Sequence, residues 1–334
     1  MADQPLFSIV VTAYTMERLQ NIYELIDSIK AQTYHNVEVV FVTEHSRELV
    51  EMVKAYALEK AITNIKAIFN DGEAGASAAR NLGIKQSHGD IIAFVDDDVV
   101  VFPNWVEQMV EAFKDYSVIA ITGPAIPLWP DKPVLWFPEE FYWVFGCTKW
   151  TGLERTTEVR NVWTMNAAFK REAFIIGGLF STSIGPKGGS MSGRKRELSE
   201  DLELSLRVKE STGKRILYYP GAKVQHRVDM RRLQLSFISR WAYWAGYSKQ
   251  KLKKLYGSTN INVLDQEYNL LKRIGTKLLP SLMTKLPRHP LRTSRSFLIT
   301  LTVLGCVATG YFTALFVNDK KKTYVFSYLD GGVS

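Results

Sequence analysis

The sequence predicts an α/β fold: a mostly parallel sheet with helices on both faces, followed by an apolar C-terminal extension. Three observations carry this. Short runs rich in β-branched residues recur through the first 125 residues, and they are continuously apolar rather than alternating. Segments with helical periodicity separate them. Near the C-terminus, Phe297–Val317 runs 21 residues without a charge.

The elements follow in order. Phe7–Ala13 is the first strand, with a polar turn at Tyr14–Arg18 and a helix over Leu19–Gln32. Val37–Thr43 and Ile65–Phe69 are strands two and three, separated by a helix over Arg47–Lys60. Ala74–Lys85 reads as a helix of small residues, and Ile91–Val95 as a fourth strand running into Asp96-Asp97-Asp98. Pro103–Lys114 is helical, Val118–Thr122 is a fifth strand, and Arg215–Tyr219 is another. Ligands of parallel sheets sit beyond the carboxyl ends of the strands, which singles out Thr12, Tyr14, Glu44, Asp71 and the Asp triplet.

Three carboxylates at the end of an apolar strand repel one another unless solvent or a cation compensates them. A hard divalent ion with oxygen ligands would do so, and would bridge the triplet to a diphosphate. A solvated acidic turn is the alternative. No G-x-G-x-x-G follows the first strand and no G-x-x-x-x-G-K-[ST] occurs, which disfavours a dinucleotide site and a P-loop.

The charge balance, 42 basic against 34 acidic residues, favours an anionic partner. Seven Lys or Arg and no acid fall between Lys272 and Arg295, interleaved with leucines near helical spacing. Such a segment suits an anionic membrane surface, or a solvated helix with its leucines on the protein body. Phe297–Val317 is long enough to cross a hydrocarbon core, or to form a buried helix. Basic residues flank both ends, so orientation is not given. The basic excess sits beside apolar sequence and no RNA-binding motif, so nucleic acid is not an expected partner. Cys147 and Cys306 make no disulfide framework or Cys-rich zinc site, and no cleaved secretory signal is visible at the N-terminus.

SIVVTAYTMER, VEVVFVTEHS and EAGASAARNLGIKQSHGDIIAFVDDD followed by PNWVEQM resemble the catalytic domain of family 2 glycosyltransferases. The resemblance implies a GT-A fold over residues 1–255, with a nucleotide-sugar half (1–125) and an acceptor half (126–255). Beyond it lie a basic amphipathic linker (256–296), a membrane helix (297–317) and a tail (318–334). Asp96-x-Asp98 is similar to the family's D-x-D element, implying Mn²⁺ or Mg²⁺ on Asp98 and Asp96, with Asp97 beside the nucleotide. Gly75, Arg80 and Asn81 match G-x-x-x-A-R-N-x-G, which lines the nucleotide pocket. Glu44 stands where the family has a base-contacting Asp, and Asp71 would be a second contact.

In the second half, Glu200-Asp201 resembles the E-D motif of inverting members. The resemblance implies Asp201 as the base that deprotonates the acceptor hydroxyl, with Glu200 as second choice. A capped helix start would give the same residues, and both can hold together. Gly185–Arg196 is Gly-rich and basic, so Lys187, Arg194, Lys195 and Arg196 could close on phosphates, unless the loop is merely floppy. His226 would be a further metal ligand on the family pattern, or a structural histidine. Arg240-Trp241 ends a Q-x-x-R-W motif broken by Phe237, so processive synthesis is not expected.

LWFPEEFYWVFGCT, VRNVWTMNAAFKREAF, SEDLELSLR and VQHRV resemble more closely the glucosyl-dolichyl-phosphate glucuronosyltransferases, over about residues 5–255. That implies transfer from a UDP-sugar to a polyprenyl- or dolichyl-phosphate-linked sugar, with the catalytic domain at the cytoplasmic membrane face. Asn166 and Trp163 would lie on the acceptor side, and Lys149, Arg155 and Arg160 are the cations available to a uronate. A transferase acting on the bare lipid phosphate, or a non-catalytic membrane scaffold, are the other readings. The paired acid motifs argue against the scaffold.

Overall fold

The computed structural model describes residues 4–184, 199–256, 263–317 and 329. Four strands, β1 (Phe7–Ala13), β2 (Val37–Thr43), β3 (Ile65–Phe69) and β4 (Ile91–Asp96), stand parallel in the order β3-β2-β1-β4. β1, β2 and β4 are buried along nearly their whole length, which is why they read as continuously apolar. Their connections are α1 (Leu19–Lys30), α2 (Arg47–Glu59) and α3 (Ala76–Gln86). Ile22 and Leu25 of α1 and Leu49 and Val53 of α2 pack against Phe7, Ile9 and Val11 on one face of the sheet. Ala79 and Ile84 of α3 pack with Val10, Val40 and Phe94 on the other.

The remaining strands are short. They are β5 (Val99–Val101), β6 (Val118–Thr122), β7 (Ala125–Leu128), β8 (Thr157–Glu158), β9 (Asn166–Lys170), β10 (Arg215–Tyr218) and β11 (Val224–Arg227). The main sheet runs β3-β2-β1-β4-β9-β6-β10-β8, and β5-β11-β7 form a second, smaller sheet. β9 is antiparallel to both β4 and β6, so a strand from the second half of the chain lies inside the sheet begun by the first. Periodicity does not show β5, β7, β8, β9 or β11, because two to five residues are too few to display it. Helix α4 (Trp105–Ala112) covers less than the expected Pro103–Lys114, and α3 starts two residues late because Gly75 occupies its N-cap with φ +128°.

After α5 (Glu172–Ile176) and α6 (Glu200–Thr212) come α7 (Leu235–Leu255), α8 (Asp265–Arg273), a π-helical turn over Ile274–Leu278, α9 (Leu279–Lys285) and α10 (Pro290–Phe316). A third apolar cluster joins Phe137, Phe141 and Phe145 to Ile238 and Ala242 of α7 and Ile299 and Val303 of α10. α10 lies along α7, starting seven residues before the expected apolar segment, and is long and apolar enough to cross a membrane. The two backbones touch: a Cβ at Gly246 would overlap the Val307 carbonyl oxygen, and one at Gly310 the Tyr243 carbonyl oxygen.

Gly310→Leu should therefore lower unfolding stability by about 2 kcal/mol, as overpacking does where backbone must yield. Gly305→Ala, on the open side of α10 where nothing lies within 4 Å, should be neutral or stabilising by up to about 1 kcal/mol. Urea titrations of the two variants in detergent, followed by circular dichroism, check the contrast.

Candidate active site

Register brings the first site residues together. Thr12 of β1 pairs with Asp96 at the end of β4, and a tight turn at Asp97-Asp98 leads into β5. β11 runs antiparallel to β5 with His226 opposite Val99, and the Arg227 amide donates to the Asp98 carbonyl at 3.0 Å. The fold thereby carries His226 from 128 positions away to the triplet, and its Nε2 stands 3.3 Å from Asp98 Oδ1. Single ligand atoms of Asp96, Asp98 and His226 lie within 4.8 Å of one another. Asp98 Oδ1 and His226 Nδ1 are buried with no hydrogen-bond partner among the described residues. A carboxylate oxygen left unmade in the interior is unfavourable, and together with a nearby imidazole it is the donor set a divalent cation takes.

Cations already crowd this centre. The Arg18 guanidinium, from the turn after β1, bonds Asp97 and lies 3.0 Å from Asp98, and Arg232 approaches Asp98 at 3.9 Å. Burial alone would raise the Asp98 carboxyl, but His226, Arg18 and Arg232 outweigh it and hold it below the usual range. Burial wins at Asp97, which is pushed up to about 7 with Asp98 adding to the rise, despite Arg18. The arginines thus compensate one carboxylate of the turn and fall short for its neighbour.

Arg80 ties this cluster to the second half of the chain. Its guanidinium bonds Glu200 at 2.9 Å and lies 3.6 Å from Asp96, with its side chain 8% exposed. Glu200 and Asp201 open α6, where the helix dipole favours acids. Within that pair the roles differ. Glu200 is ion-paired with Arg80, whereas Asp201 has no ion-pair partner within 4.0 Å among the described residues and its carboxylate accepts from the Leu202 amide at 2.7 Å. Burial and then the charge of Glu200 push Asp201 up to about 6, partly offset by Lys249 of α7. Lys249 is itself bonded to Glu267 of α8 at 2.9 Å, and Glu267 also takes Arg160 at 2.7 Å.

The other expected residues fall into four groups. Tyr14 stands edge-on to His45, Glu44 accepts from the Gly75 amide, Asn81 bonds the Phe180 backbone in both directions, and Asp71 is exposed beyond β3. Trp163 and Asn166 lie deeper. Trp163 packs edge-on against Trp150 and Tyr218, and the Asn166 side chain is spent on Trp105 Nε1 and the carbonyls of Pro124 and Ala222. Arg160 is engaged by Glu267 and Asp265 with its side chain 4% exposed, whereas Lys149 and Arg155 are exposed. Lys187, Arg194, Lys195 and Arg196 lie outside the described residues.

Sequence reasoning assigned no role to Arg18, Arg232, Lys249 or Gly146. The arginines and the lysine reach the site through tertiary contacts that no spacing signals. Gly146, within the F-Y-W-V-F-G-C-T string, caps the helical turn Glu139–Phe145 at φ +74°, and a Cβ there would stand 3.0 Å from His226 Cε1 and Nε2. That string therefore buttresses the histidine.

Residues 8–176 match the family described as glycosyl transferase family 2. A glucosyl-dolichyl phosphate glucuronosyltransferase of Haloferax volcanii is 32% identical over 250 residues, covering 75% of this chain and 78% of that protein. The chain belongs to glycosyl transferase family 2. This glycosyltransferase is also 30% identical to glycosyltransferase AglE of Haloferax volcanii over 121 residues, 36% of the chain and 39% of AglE. Among solved structures it is similar to the mannosyltransferase PcManGT from Pyrobaculum calidifontis in complex with GDP-Man and Mn²⁺. The TM-score there is 0.58 at 17% identity, over 95% of this chain and 89% of that one, a likeness of GT-A fold.

Arg80→Met should destabilise the glycosyltransferase by about 3 kcal/mol, since it leaves the Glu200 charge buried and unpaired. Adding Glu200→Gln should recover part of that loss, read from chemical denaturation midpoints of the single and double variants. Gly146→Ala should cost about 1–2 kcal/mol for its left-handed backbone and shift the imidazole resonances of His226.

Proposed function

We propose that this glycosyltransferase moves glucuronate, with inversion, from UDP-glucuronate to a sugar carried on dolichyl or polyprenyl phosphate at the cytoplasmic membrane face. The observation that carries this reading is Arg80, which joins the Asp96–Asp98–His226 cluster to the Glu200-Asp201 pair and so makes one site of two. The resemblance to the Haloferax glucuronosyltransferase supports the sugar and the lipid carrier.

In this reading Asp96, Asp98 and His226 hold a divalent cation, Mn²⁺ or Mg²⁺, which when bound offsets the charge growing on the leaving diphosphate. Thr12, Tyr14, Glu44, Asp71, Gly75, Asn81 and Asp97 surround the nucleotide. Asp201 takes the proton from the acceptor hydroxyl as its oxygen attacks the anomeric carbon, and the nucleoside diphosphate departs from the opposite face. Glu200, held by Arg80, keeps Asp201 basic by its negative charge. Lys149 and Arg155, both exposed, are the candidates to meet a uronate carboxylate.

Asp201 works in its ionised form. Its pKa is raised to about 6, so the active fraction is full above pH 7 and falls tenfold per unit below 6. The kcat–pH profile with saturating donor should show that acid limb, and a limb near pH 4 would argue for an unperturbed carboxylate. Asp201→Asn should lower kcat by about a thousandfold while leaving donor binding intact. Asp98→Asn should lose Mn²⁺-dependent nucleotide binding.

A panel of UDP- and GDP-sugars, with dolichyl-phosphate-glucose and bare dolichyl phosphate as acceptors, tests the whole. Turnover with UDP-glucuronate on the glucosylated lipid, abolished by EDTA, is expected. Turnover on the bare phosphate would make the chain a monoglycosyltransferase, and no turnover with any donor would overturn the reading.

A further inference from the structure

α10 is apolar on both sides: Ile299, Val303 and Ala314 are buried against the protein, and large apolar side chains also cover its outer face. Thr293, Ser296 and Thr300 face inward and are buried, while Leu298, Leu301 and Phe312 are 55%, 69% and 58% exposed. From Leu298 to Phe316, about 27 Å of helix, no charged side chain occurs. The same exposed character continues upstream at Met283 (68%) and Leu291 (83%), with the exposed cations Lys285, Arg288, Arg292 and Arg295 between and beside them. No acidic residue falls between Glu267 and Asp319. An apolar stripe preceded by a long basic segment without acids complements anionic head groups above an acyl layer.

A helix this long and apolar could instead cross the bilayer, but its packing argues against it. α10 lies along α7, in backbone contact at Gly246 and Gly310. Lys254 near the end of α7 donates to the Ala314 and Leu315 carbonyls, at 2.7 and 3.0 Å, near the end of α10. α7 also carries Arg240, Lys249, Lys251 and Lys253, and Lys249 belongs to the Asp201 centre. Hydrocarbon around α10 on all sides would have to hold those cations as well, which it does not tolerate. Detaching α10 would forfeit the close backbone contacts at Gly246 and Gly310 and expose three hydroxyl-bearing residues.

We infer that α10 lies in the plane of an anionic bilayer, its Leu298–Phe316 face dipped below the head groups and its opposite face docked on α7. The catalytic domain then rests on the membrane like a raft on one side of the bilayer. The acyl boundary lies one helix layer, about 10 Å, from the helix that carries Lys249. This arrangement is independent of the sugar and of the proposed general base, so donor turnover neither supports nor undermines it.

The test is the immersion depth of nitroxide labels on the full-length chain. Leu298→Cys, Leu301→Cys, Ala308→Cys, Phe312→Cys and Leu315→Cys are placed singly on a Cys306→Ala background, with buried Cys147 left unlabelled. Depth is read from oxygen and nickel-chelate accessibility in phosphatidylcholine/phosphatidylglycerol vesicles. All five labels should lie at similar depth, about 5–10 Å below the phosphates. A depth that peaks at Ala308 and is shallow at both ends, the profile of a crossing helix, would overturn the inference, as would five labels in water. Flotation of the unmodified protein gives a second readout: binding should fall at least tenfold without phosphatidylglycerol. Leu301→Asp with Phe312→Asp should also lower it at least tenfold, whereas Leu58→Asp, 83% exposed on α2, should not. Equal binding to neutral and anionic vesicles, or by both kinds of variant, would count against it.

Discussion

Like charge gathered in a confined space governs this molecule. The sheet delivers Asp96, Asp97 and Asp98 to one turn, and α6 brings Glu200 and Asp201 to the same neighbourhood. Burial raises the free energy of every carboxylate that stays ionised, and their mutual repulsion adds to it. Arg18, Arg80 and Arg232 meet part of that demand by direct contact and Lys249 by its field, leaving Asp98 Oδ1 beside His226 with no hydrogen bond among the described residues. The fold is stable around this cluster because rigid, fully apolar strands hold the groups where they cannot drift apart. The same incompleteness leaves the site ready for a cation.

Much of this was legible in the residues. The parallel strands β1, β2 and β4 declared themselves because burial on both faces demands unbroken apolar runs, and the Asp triplet stood out because nothing apolar tolerates it uncompensated. The smaller sheet was not legible. β5, β7 and β11 have three or four residues each, and what holds them is pairing with one another rather than any local pattern. β9, NAAFK, carries two alanines and gives no strand signal of its own. Arg18 was invisible for a different reason: a lone arginine in a polar turn looks solvated until the fold shows which carboxylates it faces. Glu203 likewise reads as one acid among several on a helix, yet it is fully buried in a fork with Arg207 and receives the Tyr256 hydroxyl at 3.2 Å.

α7 is where the two halves of the molecule's physics meet. One side of it presents Lys249 to the acid centre and to Glu267, and another receives α10 through a glycine contact. A helix so constrained on both sides transmits position faithfully, because close-packed interfaces shift in discrete steps rather than flexing. The π-helical turn at Ile274–Leu278 lets the chain pass from α8 to α9 while keeping Ile274, Leu278 and Leu282 on the buried side.

The central placement of β9 bears on how the chain comes together during synthesis. β4 is complete at Asp96, but the strand that closes its free edge begins only at Asn166. For roughly 70 residues of elongation the growing polypeptide exposes an apolar strand with unsatisfied amides and carbonyls, the kind of surface that recruits other chains. A chain ending between Asp98 and Asn166 keeps the Asp turn and leaves the β4 edge open. The long-range closure also slows folding relative to a sheet wound in strict order. β9 is both the seal of the nascent sheet and the neighbour of the strand that ends in Asp96.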